Sequence, residues 1–196
     1  MPDPLHRRDI LDAAERLLGR HGYRQIRVED IAREAGVAKS TVYLHFDSKE
    51  AALLATVDRI VDAVCEEMTR IVQSDGSAAD RIREILLARI TIRIDRVASY
   101  RVSLNELLAA IRPTLLERRL RHFERESAIL TSLVASGQAS GEFAPGDPAR
   151  LARSMLLATS AFLPYALSPQ ELGDRRRLEH DAREVIELLV RAIVRA

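Results

Sequence analysis

Within seven residues the chain places Lys39, Ser40, Thr41, Tyr43 and His45, followed four positions later by Lys49. Ammonium, hydroxyl, phenol and imidazole groups at this density suit hydrogen bonding to phosphate oxygens and base edges. Lys39 and Lys49 are also the only lysines in the chain. Other reactive types are scattered. His122 with Glu126 and His180 with Glu184 have the i, i+4 spacing of helical metal pairs, yet neither belongs to a ligand set, and solvated helix pairs describe them better. Cys65 follows apolar Val64 and reads as a buried, inert thiol. There is no glycine-rich phosphate loop and no nucleophile elbow. These features disfavour an enzyme and a metal or organic cofactor.

The segment around the polar cluster sets its geometry. Val28, Ile31, Ala32 and Ala35 recur at helical spacing, with Glu29, Asp30, Arg33 and Glu34 on the opposite side. Gly36 stands where a helix ends in the left-handed conformation, and Val37 plugs the corner. A second helix over 39–46 buries Val42 and Phe46, which turns the polar residues outward or toward its start. A helix of this width fits the major groove, with its first residues reaching base edges. Lys39 and Thr41 are the candidates for base contact. Tyr43, His45, Ser48 and Lys49 are placed at phosphates, Ser48 also as an N-cap.

The run Gly36-Val37-Ala38-Lys39-Ser40-Thr41-Val42-Tyr43-Leu44-His45-Phe46, with Ser48-Lys49-Glu50 after it, resembles the tetracycline-repressor (TetR) family. Ile10-Leu11-Asp12-Ala13-Ala14, Gly22-Tyr23 and Asp30-Ile31-Ala32 extend the likeness over about fifty residues. The resemblance implies operator contacts for Lys39, Ser40, Thr41, Tyr43, His45 and Lys49. Arg27 and Ala38 depart from the family's usual Ser or Thr caps and offer no side-chain acceptor. Asp30 can reach back to the Arg27 backbone as half of a capping box, and Arg27 is free to hold a phosphate.

Composition sets the wider frame. The 196 residues are rich in Ala, Leu, Ile, Arg and Glu, contain no Trp, and contain only 8 Gly and 7 Pro, which favours an all-α protein. The formal charge is +1 and the first fifty residues balance bases against acids, so any attraction to DNA comes from placement rather than from net charge. One cysteine excludes an internal disulfide framework. With no leader segment and no apolar run of membrane-spanning length, it points to a reducing, cytoplasmic location without a membrane partner.

The expected organisation is an N-terminal three-helix helix-turn-helix head, 1–47, and a C-terminal helical domain for ligand binding and dimerisation, 48–196. The first helix is predicted over 5–21, with Ile10, Ala14, Leu17 and Leu18 facing the two-helix reader. A long helix from Ser48 runs to the break at Ser74-Asp75-Gly76-Ser77, and further helices are predicted over 79–97, 101–111, 113–138, 147–167 and 178–195. Pro113 is read as a helix start, Asp147-Pro148 as a cap with proline in first position, and 168–173 as a loop.

The resemblance also implies a homodimer through the last two helices, reading a palindromic double-stranded DNA operator. It further implies a pocket for a small-molecule effector in the middle helices. Candidate liners by pattern are Leu86, Ile90, Ile94, Tyr100, Leu104, Leu107, Leu108, Phe123, Leu130, Phe162 and Tyr165. The stripe Arg89, Arg93 and Arg96 suits a carboxylate ligand, although solvent exposure or pairing with Glu106 or another acid is the plainer reading. The expected function is a ligand-responsive repressor released by a small apolar or amphipathic molecule. The alternatives are a DNA-binding activator and a helical adaptor without ligand response, for which Tyr43, His45 and Lys49 would be dispensable.

Overall fold

The computed structural model describes residues 3–195. The chain forms two compact units, one from its start as far as Ile60 together with Val97–Arg118, the other from Val61–Arg96 together with Arg119 onward. Among the described residues the strand-like pairing is confined to one antiparallel bridge, Phe143 with Val194.

The first unit begins with α1 (Pro4–Gln25), which Asp3 caps by accepting from Leu5 N at 2.9 Å, while Pro4 takes the position where a missing N–H costs nothing. The backbone bends at Gly22 (φ 71°), so the expected end near His21 appears as a break inside a longer helical stretch. α2 (Val28–Ala35) and α3 (Lys39–His45) follow, and α4 (Lys49–Val72) begins in this unit. Ile10, Ala14, Leu17 and Leu18 of α1 are buried with Ile31, Ala32, Val42, Phe46, Leu53 and Leu54. Removing such apolar side chains from water contributes about 25 cal/mol per Å². Arg59 of α4 ties this core to α1 through Asp12 and, at 2.7 Å, Glu15.

The same unit contains the turn Ala98–Tyr100 and the start of α6 (Leu104–Ala139). α1 lies close enough to this segment that a Cβ on Gly19 would meet Ser99 at 3.4 Å, and Arg24 pairs with Glu106 at 3.1 Å. Two helices were expected over 101–138, with Pro113 opening the second; the structure has one continuous helix with Pro113 in its interior. Proline removes the bond to the Ala109 carbonyl, but both residues face solvent, where water can take that acceptor, so the helix is not forced to stop.

The second unit contains the rest of α4, α5 (Ala78–Val97, shared at its last residue), the later part of α6, α7 (Pro148–Ala158), α8 (Pro169–Gly173) and α9 (Arg175–Arg191). Glu142 caps α5 by accepting from Ala78 N at 2.8 Å and Ala79 N at 2.7 Å. The Phe143 ring sits on Gly137 so closely that a Cβ there would meet it at 2.2 Å, which restricts the site to glycine.

Three elements of this unit differ from expectation, the last helix spanning Arg175–Arg191 where 178–195 was expected. The helix starting at Asp147-Pro148 stops at Ala158 rather than 167. The Thr159 hydroxyl donates to Met155 O at 2.8 Å and that of Ser160 to Leu156 O at 2.7 Å, and Leu163 is held extended before Pro164. Residues 168–173 form α8 rather than a loop, because Ser168 and Glu171 make a capping box ahead of Pro169.

Candidate nucleic-acid interface

The α2–turn–α3 segment is fixed by its turn chemistry. Gly36 adopts φ 69°, ψ 26°, and the N–H groups of Gly36 and Val37 donate to Arg33 O at 3.3 Å and Ala32 O at 3.0 Å. This closes α2 and redirects the chain in the manner of a left-handed C-cap. At the other end of α2, Asp30 Oδ2 accepts from Arg27 N at 3.0 Å, so half of a capping box is present and the Arg27 side chain remains exposed. α3 has no side-chain cap, since Ala38 offers no acceptor.

Val42 and Phe46 are buried beneath α3. Its outer face carries Lys39, Ser40, Tyr43 (46% exposed) and Leu44 (69%), with Thr41 and His45 half-buried beside them. The six sequence candidates from Lys39 to Lys49 and Arg27 all fall in the first compact unit, five of them on one seven-residue helix. Sequence reasoning missed Leu44. Its signal was available: Val42 and Phe46 define the buried side, and a residue two positions from each points away from it.

The charges on this face have internal partners. Lys39 Nζ lies 2.5 Å from Glu29 Oε1 on α2 and 5.7 Å from the Tyr43 ring centroid. Its hydrogen bond to Glu29 raises the lysine pKa and lowers that of the carboxyl. Lys49 donates to Tyr23 O at 3.3 Å and sits 4.1 Å from the Tyr23 ring centroid. The Tyr23 hydroxyl in turn donates to Glu50 at 2.7 Å; burial first, then that carboxylate, pushes its pKa up to about 12. Arg20 at 2.5 Å and Arg16 at 2.7 Å hold Glu34 on α2, depressing its pKa to about 2.

The effector candidates are distributed over both units. Tyr100, Leu104 and Leu107 are buried and Leu108 half-buried in the first, while Leu86, Ile90, Ile94 and Leu130 are buried in the second. Phe123 and Phe162 are half-buried, and exposed Tyr165 lies 5.3 Å from the Arg119 guanidinium. Within the second unit a groove of about 760 Å³ is lined by Asp62, Cys65, Glu66, Thr69, Arg70, Gln73, Arg125, Ala128 and Ile129, none of which was a candidate.

The arginine stripe on α5 follows the plainer of its two readings, with pairing to an acid other than Glu106 and, at Arg96, exposure to solvent. Arg89 and Arg93 are buried and share Glu126 of α6, Arg89 Nε bonding Oε2 at 2.5 Å and Arg93 bonding Oε1. Arg96 is exposed, and Glu106 pairs with Arg24 instead. Glu126 is therefore no solvated partner of His122; it is 2% exposed. Burial pushes its pKa up, but the Arg93 and Arg89 charges prevail and hold it below the ordinary value. His180 and Glu184 lie 3.6 Å apart on the surface, and Asp181, which the sequence reading left out, brings a third ligand-type atom within 4.8 Å of both.

Comparison with known proteins agrees with this geometry. Residues 10–56 match the family described as "Bacterial regulatory proteins, tetR family", and residues 78–186 match "Tetracyclin repressor-like, C-terminal domain". The Fatty acid metabolism regulator protein of Bacillus subtilis is 27% identical over 188 residues, covering 94% of this chain and 93% of its own. The HTH-type transcriptional regulator RutR of Escherichia coli is 27% identical over 157 residues, covering 80% of this chain and 73% of its own. Among solved structures, a transcriptional regulator from Cytophaga hutchinsonii superposes with TM-score 0.76 at 18% identity, covering 94% of this chain and 96% of that one. FadR from Bacillus subtilis in complex with stearoyl-CoA superposes with TM-score 0.65 at 25% identity, covering 93% and 97%. No described helix is long and apolar enough to cross a membrane. With matched segments over residues 10–56 and 78–186, the chain belongs to the TetR family of DNA-binding transcriptional regulators.

Proposed function

We propose that the protein is a homodimeric repressor that reads a palindromic operator with α3 and leaves it when a small apolar or amphipathic effector binds. The observation that carries the reading is the outer face of α3, where Lys39, Ser40 and Tyr43 stand exposed over the buried Val42 and Phe46. Lys39 and Thr41 address base edges, while Tyr43, His45, Lys49 and Arg27 address phosphates. Leu44 adds an apolar surface suited to a thymine methyl group.

Dimerisation through α7 and α9 is supported by the apolar side chains these helices leave in solvent, Leu157 at 49% and Leu188 at 68% exposure. A two-fold dimer presents its reading helices to half-sites about 34 Å apart, one turn of DNA, or a multiple of that. Effector control follows the relatives: the FadR structure was solved with stearoyl-CoA and the SmeT structure with triclosan. α4 and α6 each contribute residues to both compact units, which makes them the levers through which ligand and DNA oppose each other. The head comprises 1–47 and the regulatory domain 48–196. A ligand shifts the balance only by its differential affinity for the two states, ordinarily about 1 to 3 kcal/mol of coupling.

Selection of bound duplexes from a random pool tests the reading. The expected result is an inverted repeat with the half-site spacing given above. Recovery of sequences with no common element would refute it.

A further inference from the structure

Lys39 on the outer face of α3 has its ammonium 2.5 Å from Oε1 of Glu29 on α2 and 5.7 Å from the Tyr43 ring centroid. The ring attracts the cation without neutralising it, whereas the carboxylate neutralises it. About half of each charged side chain is in water, so both groups are open to an incoming ligand. A carboxylate therefore stands beside the leading candidate for base contact.

When Lys39 turns to an acceptor on DNA, Glu29 loses its cation next to a polyanion, and an ionised carboxylate accepts hydrogen bonds but donates none. Nearby Arg33 is already held by Asp30 at 2.9 Å. Only a donor on the DNA then compensates Glu29, and in the major groove the base-edge donors are cytosine N4 and adenine N6. Cytosine N4 lies beside guanine O6 of its own pair, about 2.9 Å away, the length of the hydrogen bond that joins them. The Lys39–Glu29 pair sets a donor beside an acceptor at a similar separation, 2.5 Å. Guanine also offers the ammonium two acceptors, O6 and N7, where thymine offers only O4 next to a methyl group.

We propose that Glu29 is a specificity-determining residue: Lys39 donates to guanine O6 and N7 while Glu29 accepts from cytosine N4, so that the two together read one G·C pair in each half-site. The inference rests on the reading of α3 as the operator-contacting helix. In the free protein each group satisfies the other, and the G·C pair replaces their mutual bond with bonds to both. At any other base pair Glu29 is left without a donor close to phosphate. Its charge then works against the wrong sequence, which is discrimination by penalty rather than by added attraction.

Selection of duplexes from a random pool by the full chain supplies the operator, and fluorescence anisotropy on that operator tests the contact. For the unaltered protein, A·T, T·A or C·G at one position of each half-site should weaken binding about tenfold. A cytosine analogue lacking the N4 amino group, placed opposite that guanine, should weaken it several-fold. Glu29→Ala replaces an exposed side chain, so it leaves a folded protein to test. It should be indifferent to the amino group, lose the preference for G·C at that position alone, and bind a scrambled duplex several-fold more tightly. Lys39→Ala should relax the same position. Indifference of the unaltered protein to the amino group overturns the proposal, as do unchanged base preferences in Glu29→Ala, or relaxation of different positions by the two variants. A pool with no common element refutes the reading of α3 itself, an outcome distinct from each of these.

Discussion

The α3 helix and the Arg89–Glu126–Arg93 cluster use the same side-chain chemistry under opposite conditions. On α3, Lys39 pairs with Glu29 at 2.5 Å with about half of each side chain in water, so a nucleic acid can replace the carboxylate at little cost. Inside the second unit the arginines and Glu126 are desolvated, and each depends on the others for the bonds that water would have made. Exchangeable pairing suits recognition of a polymer that must be bound and released. Fixed pairing suits an interior that holds one arrangement.

The contrast breaks most visibly at Glu126. Glu126→Ala strands two buried guanidiniums and should destabilise the fold by about 3 to 5 kcal/mol, measured by urea unfolding. A change within a few tenths would mean that water already reaches the cluster. Lys39→Ala, by contrast, should leave stability nearly unchanged and cost about 1 to 3 kcal/mol of operator binding with relaxed base preference, seen by fluorescence anisotropy against matched and mismatched duplexes.

Smaller effects sharpen the same comparison. Ala38→Ser supplies the acceptor that α3 lacks and should stabilise the head by about 1 kcal/mol in thermal unfolding, unless its hydroxyl fails to reach the first-turn N–H groups. Glu34 gives the pH dependence of the exposed side. Its pKa is depressed from 4.5 to about 2 by Arg20 and Arg16, so its contribution is complete above 4.5 and is lost as pH falls toward 2. Carboxyl NMR should show Glu34 titrating near 2, and Glu34→Gln should remove that share of the acid loss.

Local rules made much of this molecule legible. Gly36 ends α2, Asp147-Pro148 starts α7, and the Val42 and Phe46 spacing sets the face of α3, because each feature depends on neighbours in sequence. Where competing local signals met, expectation failed. Pro113 reads as a start but sits on a solvent-facing turn of α6 that tolerates it, and the Thr159 and Ser160 hydroxyls end α7 where apolar spacing alone continues it. The pairing of Arg89 with Glu126, 37 positions apart, has no local signature, and its acid lies on the same helix as Glu106 but further along it. The exposure of Leu44 followed from a rule already in use, applied to the polar residues and not to the apolar one between them.

In the proposed function α3 reads sequence as part of a dimer. Its most direct test is titration of the purified protein onto the selected inverted repeat and onto a scrambled duplex of equal length, across a salt series, with stoichiometry read by analytical ultracentrifugation. The expected result is two chains per repeat, salt-sensitive binding to both duplexes, and a preference for the repeat of about 10³-fold or more. Equal affinity for the two duplexes, or one chain bound per repeat, would contradict it.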